Sequence, residues 1–293
     1  MEIRLLEYFL AVAREENITH AANTLHIAQP TLSLQLKSLE QELGKPLFVR
    51  GKRKVTLTED GVILRRRAEE ILSLVKIAEQ EISSSEHDIR GIVSIGSGET
   101  EAMNLALNAA ADLQAQYPNV RFQLFNGDAQ AITERLDQGL LDFGILMEPV
   151  DHSKYAHISL PISDSWGILM PCDNILASKD NISPADLYDV PLIIPNRSEL
   201  QMELSAWFQK DISQLHISAT FNLVHTASLS VRNKLGCALV LKNSPYAEQG
   251  QDLCFRPLFP SIEERLCIAW KKYQTFSKAA ELYKDKVASI FAR

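Results

Sequence analysis

The apolar positions of the first 60 residues recur at helical spacing, with short polar breaks between them. From Gln29 to Leu43, the leucines at 32, 36, 39 and 43 are four, three and four residues apart, so they share one face of a helix. Pro30 lies at its start, where a missing N–H costs little, and Gly44 follows its end. The pattern predicts helices over residues 2–15, 17–26 and 29–43.

The opposite face of the third helix is mostly small and polar. A helix buried on all sides would not need hydroxyl and amide groups there, whereas a helix in the major groove of DNA would present them to base edges. The second and third helices therefore predict a helix-turn-helix. At roughly 100° per residue, this face carries Pro30, Ser33, Leu34, Lys37, Ser38 and Gln41.

Two β-prone segments follow the third helix. Residues 47–50 (LFVR) and 55–57 (VTL) flank a segment from Gly51 to Lys54 that contains three cationic residues. This arrangement predicts a two-stranded hairpin with a cationic tip. Three helices and such a hairpin make a winged helix-turn-helix, which we place at residues 1–58.

A long helix is predicted from about residue 59. Its apolar residues at 64, 68, 71, 75, 78 and 82 alternate four and three apart, a heptad pattern. A narrow apolar stripe on a helix of this length needs a partner. A second chain is favoured over packing against the helix's own chain. The polar segment 83–88 predicts a hinge, so residues 59–88 are interpreted as a linker and dimerisation segment.

From residue 89 the pattern changes to short apolar runs that alternate with amphipathic segments. Such alternation predicts a mostly parallel sheet that is covered on both faces. The predicted strands are 92–96, 120–125, 142–147, 165–170, 191–195, 221–224, 238–241 and 265–271, and the predicted helices are 101–116, 129–138, 183–187, 200–210, 227–235 and 276–292.

The net charge of −7 conceals an uneven distribution. Residues 1–67 carry 11 Lys and Arg against 8 Asp and Glu, whereas residues 68–293 carry 19 against 29. A basic run by itself usually indicates a solvated face. Here the run from Arg50 to Lys54 and the arginines 65–67 follow a helix-turn-helix pattern, and phosphate neutralisation supplies most of the affinity for DNA.

The remaining composition is that of an ordinary globular protein, with 46% apolar and 23% charged residues. The start of the chain lacks the features of a signal peptide, and no apolar run is long enough to span a bilayer. The four cysteines are scattered without a CxxC pair, which predicts reduced thiols and not a disulfide framework or a zinc site. We therefore expect a cytoplasmic protein without membrane association.

The order and spacing of the N-terminal motifs resemble the LysR-type transcriptional regulators. The resemblance implies an α+β multidomain fold: an N-terminal winged helix-turn-helix, a long linker helix, and a C-terminal two-lobe α/β effector-binding domain like that of periplasmic solute-binding proteins. Lobe I would comprise residues 89–161 and 266–293, and lobe II residues 162–265. The motifs are Ala21-Ala22, Leu25, Gln29-Pro30, Ser33, Leu39-Glu40, Leu43-Gly44, Pro46-Leu47-Phe48 and Leu57-Thr58-Glu59-Asp60-Gly61.

Two residues depart from the family pattern. Ala28 replaces the usual serine at the start of the recognition helix, which forfeits a cap worth about 1 kcal/mol. Leu34 replaces an arginine or polar residue, which changes the expected base preference. By resemblance, the partners are double-stranded DNA, a second copy in a homodimer or homotetramer, and RNA polymerase as a candidate. The residues expected to contact DNA are Gln29, Pro30, Thr31, Ser33, Leu34, Lys37, Arg50, Lys52 and Arg53.

The segment Gly96-Ser97-Gly98 precedes a predicted helix, but it lacks the third glycine of a dinucleotide motif and any Walker lysine. What remains is a helix N-terminus suited to a carboxylate. The resemblance implies that this loop lies in the cleft between the lobes and binds a small effector. The expected effector-binding residues are Ser97, Gly98, Thr100, Glu101, Asp128, Asn196, Arg197, Ser198, His225 and Thr226.

The charge of the effector is less clearly indicated. Arg197 is a candidate for holding a carboxylate, although an exposed loop arginine explains its position equally well. Glu99 and Glu101 would repel an anion, unless they only complement the helix dipole. An anionic effector is favoured slightly over a zwitterion or an amine.

An enzyme and a passive solute-binding protein are the competing classes. We find no GxSxG motif, no recognisable Cys–His pair and no metal-ligand cluster in the sequence, so no catalytic residue, metal or cofactor is predicted. A solute-binding protein would need an export signal and would leave the basic hairpin unexplained. Measured binding to specific duplex DNA separates the regulator from both.

Overall fold

The computed structural model describes residues 1–51, 54–82, 89–244 and 252–291, and the chain divides into two compact units, Met1–Ser83 and Ser84–Arg293. The first unit begins with three helices, continues into a two-stranded antiparallel hairpin and ends in a long helix. Its elements are α1 Ile3–Glu15, α2 Ile18–Thr24, α3 Gln29–Leu43, β1 Phe48–Arg50, β2 Val55–Leu57 and α4 Glu59–Ile82.

Local signals fix the ends of the helices in this unit. The Asn17 side chain accepts hydrogen bonds from the N–H groups of Thr19 (2.9 Å) and His20 (3.1 Å) and so caps α2. Ala28, the N-cap of α3, has only a methyl group and offers no acceptor. Gly44 ends α3 in the left-handed conformation (φ 67°), which glycine adopts without steric cost. The predicted bounds of α3 are therefore confirmed.

The leucine stripe of α3 faces the core of the first unit. Leu32, Leu36 and Leu39 are buried together with Phe9, whose ring lies 5.2 Å from that of Phe48 on β1. Leu43 belongs to the same stripe but remains 40% exposed, because it is the last residue of the helix. The stripe therefore holds α3 against α1 and β1 and leaves its opposite face towards solvent.

Two contacts fix the hairpin relative to the helices. One carboxylate oxygen of Glu40 on α3 accepts the N–H groups of Leu47 (2.8 Å) and Phe48 (3.2 Å). The start of α4 passes so close to this segment that a Cβ on Gly61 would lie 2.2 Å from the carbonyl oxygen of Leu47. Only glycine fits at that position without displacing the backbone.

The first half of α4 packs within its own unit. Ala68 is buried, and Leu64, Ile71 and Leu72 are partly buried against the same core as α1. The first part of the predicted heptad stripe thus packs within the same chain. Pairing of α4 with a second chain stays a prediction. The predicted hinge at 83–88 lies outside the described residues.

The second unit alternates strands and helices, as predicted. Its strands are β3 Gly91–Ser97, β4 Val120–Asn126, β5 Phe143–Met147, β6 Tyr155–Pro171, β7 Leu192–Pro195, β8 Ile217–Phe221, β9 Cys237–Leu241, β10 Leu253–Pro257 and β11 Glu263–Lys271. Its helices are α5 Ala102–Gln116, α6 Ala129–Asp137, α7 Ser198–Phe208, α8 Val224–Arg232 and α9 Lys278–Phe291, with short 3₁₀ helices at Ile175–Ser178, Pro184–Leu187 and Ile212–Gln214.

The strands form a mixed sheet in the order β4-β3-β5-β11-β6-β9-β7-β8, with β10 added beside β6. Pairing is parallel among β3, β4 and β5 and among β7, β8 and β9, whereas β6, β10 and β11 pair antiparallel. The prediction of a mostly parallel sheet therefore holds for these two groups only. The strand predicted at 221–224 is wrong: the strand lies at 217–221, and α8 begins at Val224.

Two lobes with separate cores follow from this sheet. In lobe I, α5 and α9 cover one face of β3 and β5, and α6 packs on the other face. In lobe II, α7 covers one face of β7 and β9 and α8 covers the opposite face. The units β3-α5-β4-α6-β5 and β7-α7-β8-α8-β9 thus share one topology. The long strand β6 joins them, since Leu160 lies in the first core and Trp166 in the second.

The described helices are all too short or too polar to cross a membrane.

Candidate DNA-binding face and effector cleft

The outward face of α3 carries the residues predicted to contact DNA. Gln29, Pro30, Thr31 and Lys37 are exposed, and Ser33 is half-buried. Leu34 is 66% exposed, although it is apolar. Because three leucines anchor the opposite side in the core, these side chains are held on a rigid helix and not on a loop.

Three basic residues near the hairpin form salt bridges, which partly neutralise their charges. Lys54 pairs with Glu16 at the end of α1 (2.5 Å). Arg65 pairs with Glu69 (3.1 Å) on α4. Arg67 pairs with Glu70 in the same way (2.7 Å), so two of the three arginines in this run are partly neutralised. Arg50 is the last residue of β1, and the predicted phosphate contacts Lys52 and Arg53 lie outside the described residues.

In lobe I, the loops that follow β3 and β4 lie side by side. The carbonyl of Ser97 accepts the N–H of Gly127 (3.1 Å), and the buried Ser97 hydroxyl donates to the carbonyl of Gly98 (2.8 Å). The Thr100 hydroxyl accepts the N–H of Ala102 at the start of α5 (3.3 Å). Asp128 caps α6 by accepting the N–H of Ala131 (2.9 Å). The N-termini of α5 and α6 therefore lie near each other, after the paired strands β3 and β4.

In lobe II, the equivalent loops follow β7 and β8. The N–H of Asn196 donates to the carbonyl of Phe221 (2.7 Å), which places the start of α7 at Ser198 beside the start of α8. His225 and Thr226 lie in the first turn of α8 and are exposed. Lobe II thus presents a second pair of helix N-termini, after the corresponding strands.

Arg197 faces inward and not towards open solvent. Its Nη1 donates to Glu264 Oε1 (3.1 Å) and contacts the sulphur of Met147. Glu264 is 4% exposed and also accepts the Trp166 indole N–H (3.2 Å). Burial raises the pKa of Glu264, and Arg197 and Trp166 oppose that rise. The exposed-loop alternative for Arg197 is therefore wrong, because this side chain pairs with Glu264 within lobe II and contacts Met147 on β5 of lobe I.

A second contact joins the lobes at the predicted site. Glu99, in the loop between β3 and α5, accepts the backbone N–H of His225 with Oε2 at 3.1 Å. Glu101 instead accepts a hydrogen bond from the Asn104 amide on its own helix. The structure thus brings the loops 97–101 and 224–226 together. It also shows that Glu99 contacts the other lobe, whereas Glu101 contacts its own helix, a difference that the sequence does not indicate.

The sequence did not predict the contacts of three residues in these sites. Glu40 anchors the hairpin, Glu264 neutralises Arg197, and Glu99 crosses between the lobes. Of these three residues, only Glu40 belongs to a motif of the family resemblance, Leu39-Glu40, from which a role could be predicted. Within the described ranges, the structure contains no group of three His, Cys, Asp or Glu residues able to hold a metal ion.

Comparisons with known proteins agree with this geometry. Residues 3–62 match the family model described as bacterial regulatory helix-turn-helix protein, lysR family, and residues 86–289 match the LysR substrate binding domain. The chain belongs to the LysR family. It is a DNA-binding transcriptional regulator with an effector-binding domain, and not an enzyme.

Similar proteins cover the whole chain. The uncharacterized HTH-type transcriptional regulator YybE of Bacillus subtilis (strain 168) is 30% identical over 100% of both chains. The Hca operon transcriptional activator HcaR of Escherichia coli (strain K12) is 32% identical over 93% of this chain and 92% of HcaR. The crystal structure of full-length CbnR with its target DNA is 20% identical, covers 99% of each chain and has a TM-score of 0.74, which shows the shared fold.

Proposed function

We propose that a small effector binds between the two lobes, at residues 97–101, 128, 196–198 and 225–226, and changes how the 1–58 domain binds DNA. The observation that carries the proposal is the contact between Glu99 and His225, which brings the loops of the two lobes together. The chain crosses between the lobes at β6 and β11, so a ligand held by both lobes would shift the balance between their arrangements.

The site favours an effector with a carboxylate or a similar anion. Four helices, α5, α6, α7 and α8, begin immediately after strands β3, β4, β7 and β8. Helix N-termini carry N–H donors and partial positive charge, which suit an anion, and ligands of α/β sheets bind at the carboxyl ends of the strands. Three nearby carboxylates, those of Glu99, Glu101 and Asp128, would repel an anion. Each already accepts a hydrogen bond from the protein, which reduces this repulsion.

In the DNA-binding domain, Gln29 and Ser33 would contact base edges, Lys37 and the hairpin residues would contact phosphate, and Leu34 would pack against a thymine methyl group. CbnR is a protein of this fold crystallised with its target DNA. HcaR, a similar protein, is a transcriptional activator.

Assembly as a homodimer or homotetramer fits the surface of α4. The helix exposes Ile63 (57%) and Leu74 (40%), eleven residues apart and therefore close to one face, while a neighbouring face packs on the core of the first unit. A second copy in the cytoplasm would cover that apolar surface. Two DNA-binding domains joined in this way would read two half-sites, and RNA polymerase would be a further partner.

A thermal-shift screen of small metabolites tests the proposal. A ligand that binds only the native state raises the melting temperature, by an amount that grows with its concentration. We expect organic anions among the compounds that stabilise the full-length protein. If only cations or neutral compounds stabilise it, the anionic class is wrong; if a stabilising anion protects no residue of the cleft from hydrogen exchange, the site is wrong.

A further inference from the structure

We propose that Glu99 is an interlobe latch: its carboxylate binds the start of α8, and an effector carboxylate that reaches the same place displaces it. The proposal rests on the effector cleft proposed above and adds the interaction between the lobes that the effector must displace. It starts from one hydrogen bond between residues 126 positions apart, from Glu99 Oε2 to the backbone N–H of His225.

The two lobes differ at equivalent helix starts. In lobe I, α6 follows β4 and is capped by Asp128, whose side chain accepts the N–H of Ala131. In lobe II, α8 follows β8, but its N-cap residue is Leu223, an aliphatic side chain without an acceptor. The first turn of α8 therefore needs an acceptor from elsewhere, since the N–H groups of a first turn have no partner within the helix.

Glu99 supplies that acceptor from the opposite lobe. A carboxylate at a helix N-terminus satisfies N–H donors and interacts favourably with the helix dipole. Glu101, two residues later, makes its contact with Asn104 within lobe I and does not cap α8. The pair Glu99 and Glu101 thus offers a carboxylate that joins the lobes and a matched one that does not.

A molecule that competes with Glu99 for the start of α8 must carry a carboxylate of its own. The backbone N–H of His225 at the start of α8 donates to a carboxylate that the protein itself provides, that of Glu99. An effector with a carboxylate can replace it without changing the kind of interaction made by α8. Glu99 then loses its partner across the cleft, so the exchange alters the link between the lobes. A neutral effector cannot compete in this way.

Hydrogen exchange on the full-length protein tests the latch without a known effector. In Glu99→Ala, the amide of His225 should exchange faster than in the wild type, on the order of fivefold, which corresponds to the loss of one helix cap. Glu101→Ala is the matched control and should leave this amide unchanged. An unchanged rate in Glu99→Ala, or an equal increase in both variants, would overturn the latch.

Sodium formate is the probe for competition, with sodium chloride at equal ionic strength as its control. Formate should slow exchange at His225 in Glu99→Ala and have a smaller effect on the wild type, where Glu99 occupies the position. Equal protection of both proteins would show that Glu99 does not compete with an external carboxylate and would overturn the proposal.

A second variant covers the case in which Glu99→Ala folds poorly. Leu223→Asp gives α8 a cap of its own, and the amide of α8 that corresponds to the one bound by Asp128 in α6 is that of Thr226. Glu99→Ala combined with Leu223→Asp should therefore recover protection in the first turn of α8, at Thr226 above all, and lose its response to formate. Protection that stays low in the combined variant counts against the latch. These results concern α8 only; a failed ligand screen would instead reject the effector cleft, so the two failures are distinguishable.

Discussion

Arg197 Nη1 lies 3.1 Å from Glu264 Oε1, in a salt bridge whose carboxylate is almost completely buried. Arg197 follows β7 in lobe II, whereas Glu264 belongs to β11, which also pairs with β5 of lobe I. A buried carboxylate that loses a cationic partner keeps its desolvation cost, so this pair supports the cleft structurally. Arg197 is also the residue immediately before α7, so the pair joins the start of this helix to β11.

Replacing Arg197 with Ala should lower the free energy of unfolding by about 2–3 kcal/mol, less than for a fully buried pair because Arg197 retains some contact with water. Chemical denaturation measures this change. Arg232→Ala is the control: Arg232 pairs with Asp252 at the surface, where a salt bridge contributes about 0–1 kcal/mol. Equal, small losses in both variants would show that Arg197 is not a structural support and would leave effector binding as its proposed role.

Thr100 should contribute to effector binding and not to DNA binding. In Thr100→Val the hydroxyl at the start of α5 is lost while the side-chain shape is kept, so we expect about a tenfold weaker response to a stabilising anion, the value of one hydrogen bond to a charged group. DNA affinity without effector should be unchanged. Thr133→Val removes a hydroxyl that bonds only within α6 and serves as the control. An unaltered effector response in Thr100→Val would exclude this position.

Oligomer assembly should depend on Leu74 and not on Ile71. Leu74→Asp places a charge on the exposed apolar face of α4 and should lower the mass found by light scattering while the protein stays folded. Ile71 packs against α1 of its own chain, so Ile71→Asp should lower the melting temperature instead. A wild-type mass for Leu74→Asp would place the interface elsewhere.

The hairpin should bind DNA without sequence preference. Arg53→Ala should weaken specific and random duplexes alike and reduce the slope of log K against log salt by about one, as expected for one lost phosphate contact. Lys54→Ala should change the slope less, because Lys54 already pairs with Glu16. Equal slopes for the wild type and Arg53→Ala would remove Arg53 from the interface; the same reasoning applies to Arg50 and Lys52.

The predictions from sequence succeeded where the determining signals are local. The bounds of α3 follow from the leucine spacing, from Pro30 and from Gly44, all within the helix or next to it. The strand β8 was misplaced because its sequence ISATF has little alternation and small side chains, so its position depends on pairing with β7.

Contacts between distant segments could not be predicted in this way. Arg197 and Glu264 are 67 positions apart and Glu99 and His225 are 126 apart, so no periodicity connects them. The antiparallel order around β6 and β11 has the same origin, because it arises when the chain crosses between the lobes. The family resemblance predicts a cleft between the lobes but not these particular pairs.

Leu34 should determine one base of the recognition site. It is 66% exposed on the face of α3 opposite the buried leucines. In the major groove a leucine suits the thymine methyl group and an arginine suits guanine, so Leu34→Arg should shift one position in each half-site towards guanine, by about 1–3 kcal/mol. Leu43→Arg, an exposed leucine on the other side of the helix, is the matched control. Identical selected motifs for the wild type and Leu34→Arg would show that this residue does not contact bases.

The central claim is that ligand binding in the 84–293 unit changes DNA binding by the 1–83 unit. It is tested most directly by measuring affinity, footprint and bending of a selected DNA site, with and without an anion that raises the melting temperature of the full-length protein. The anion should change at least one of these three properties in the wild type and have a weaker effect in Thr100→Val. An anion that saturates the cleft and leaves affinity, footprint and bending unchanged would contradict it.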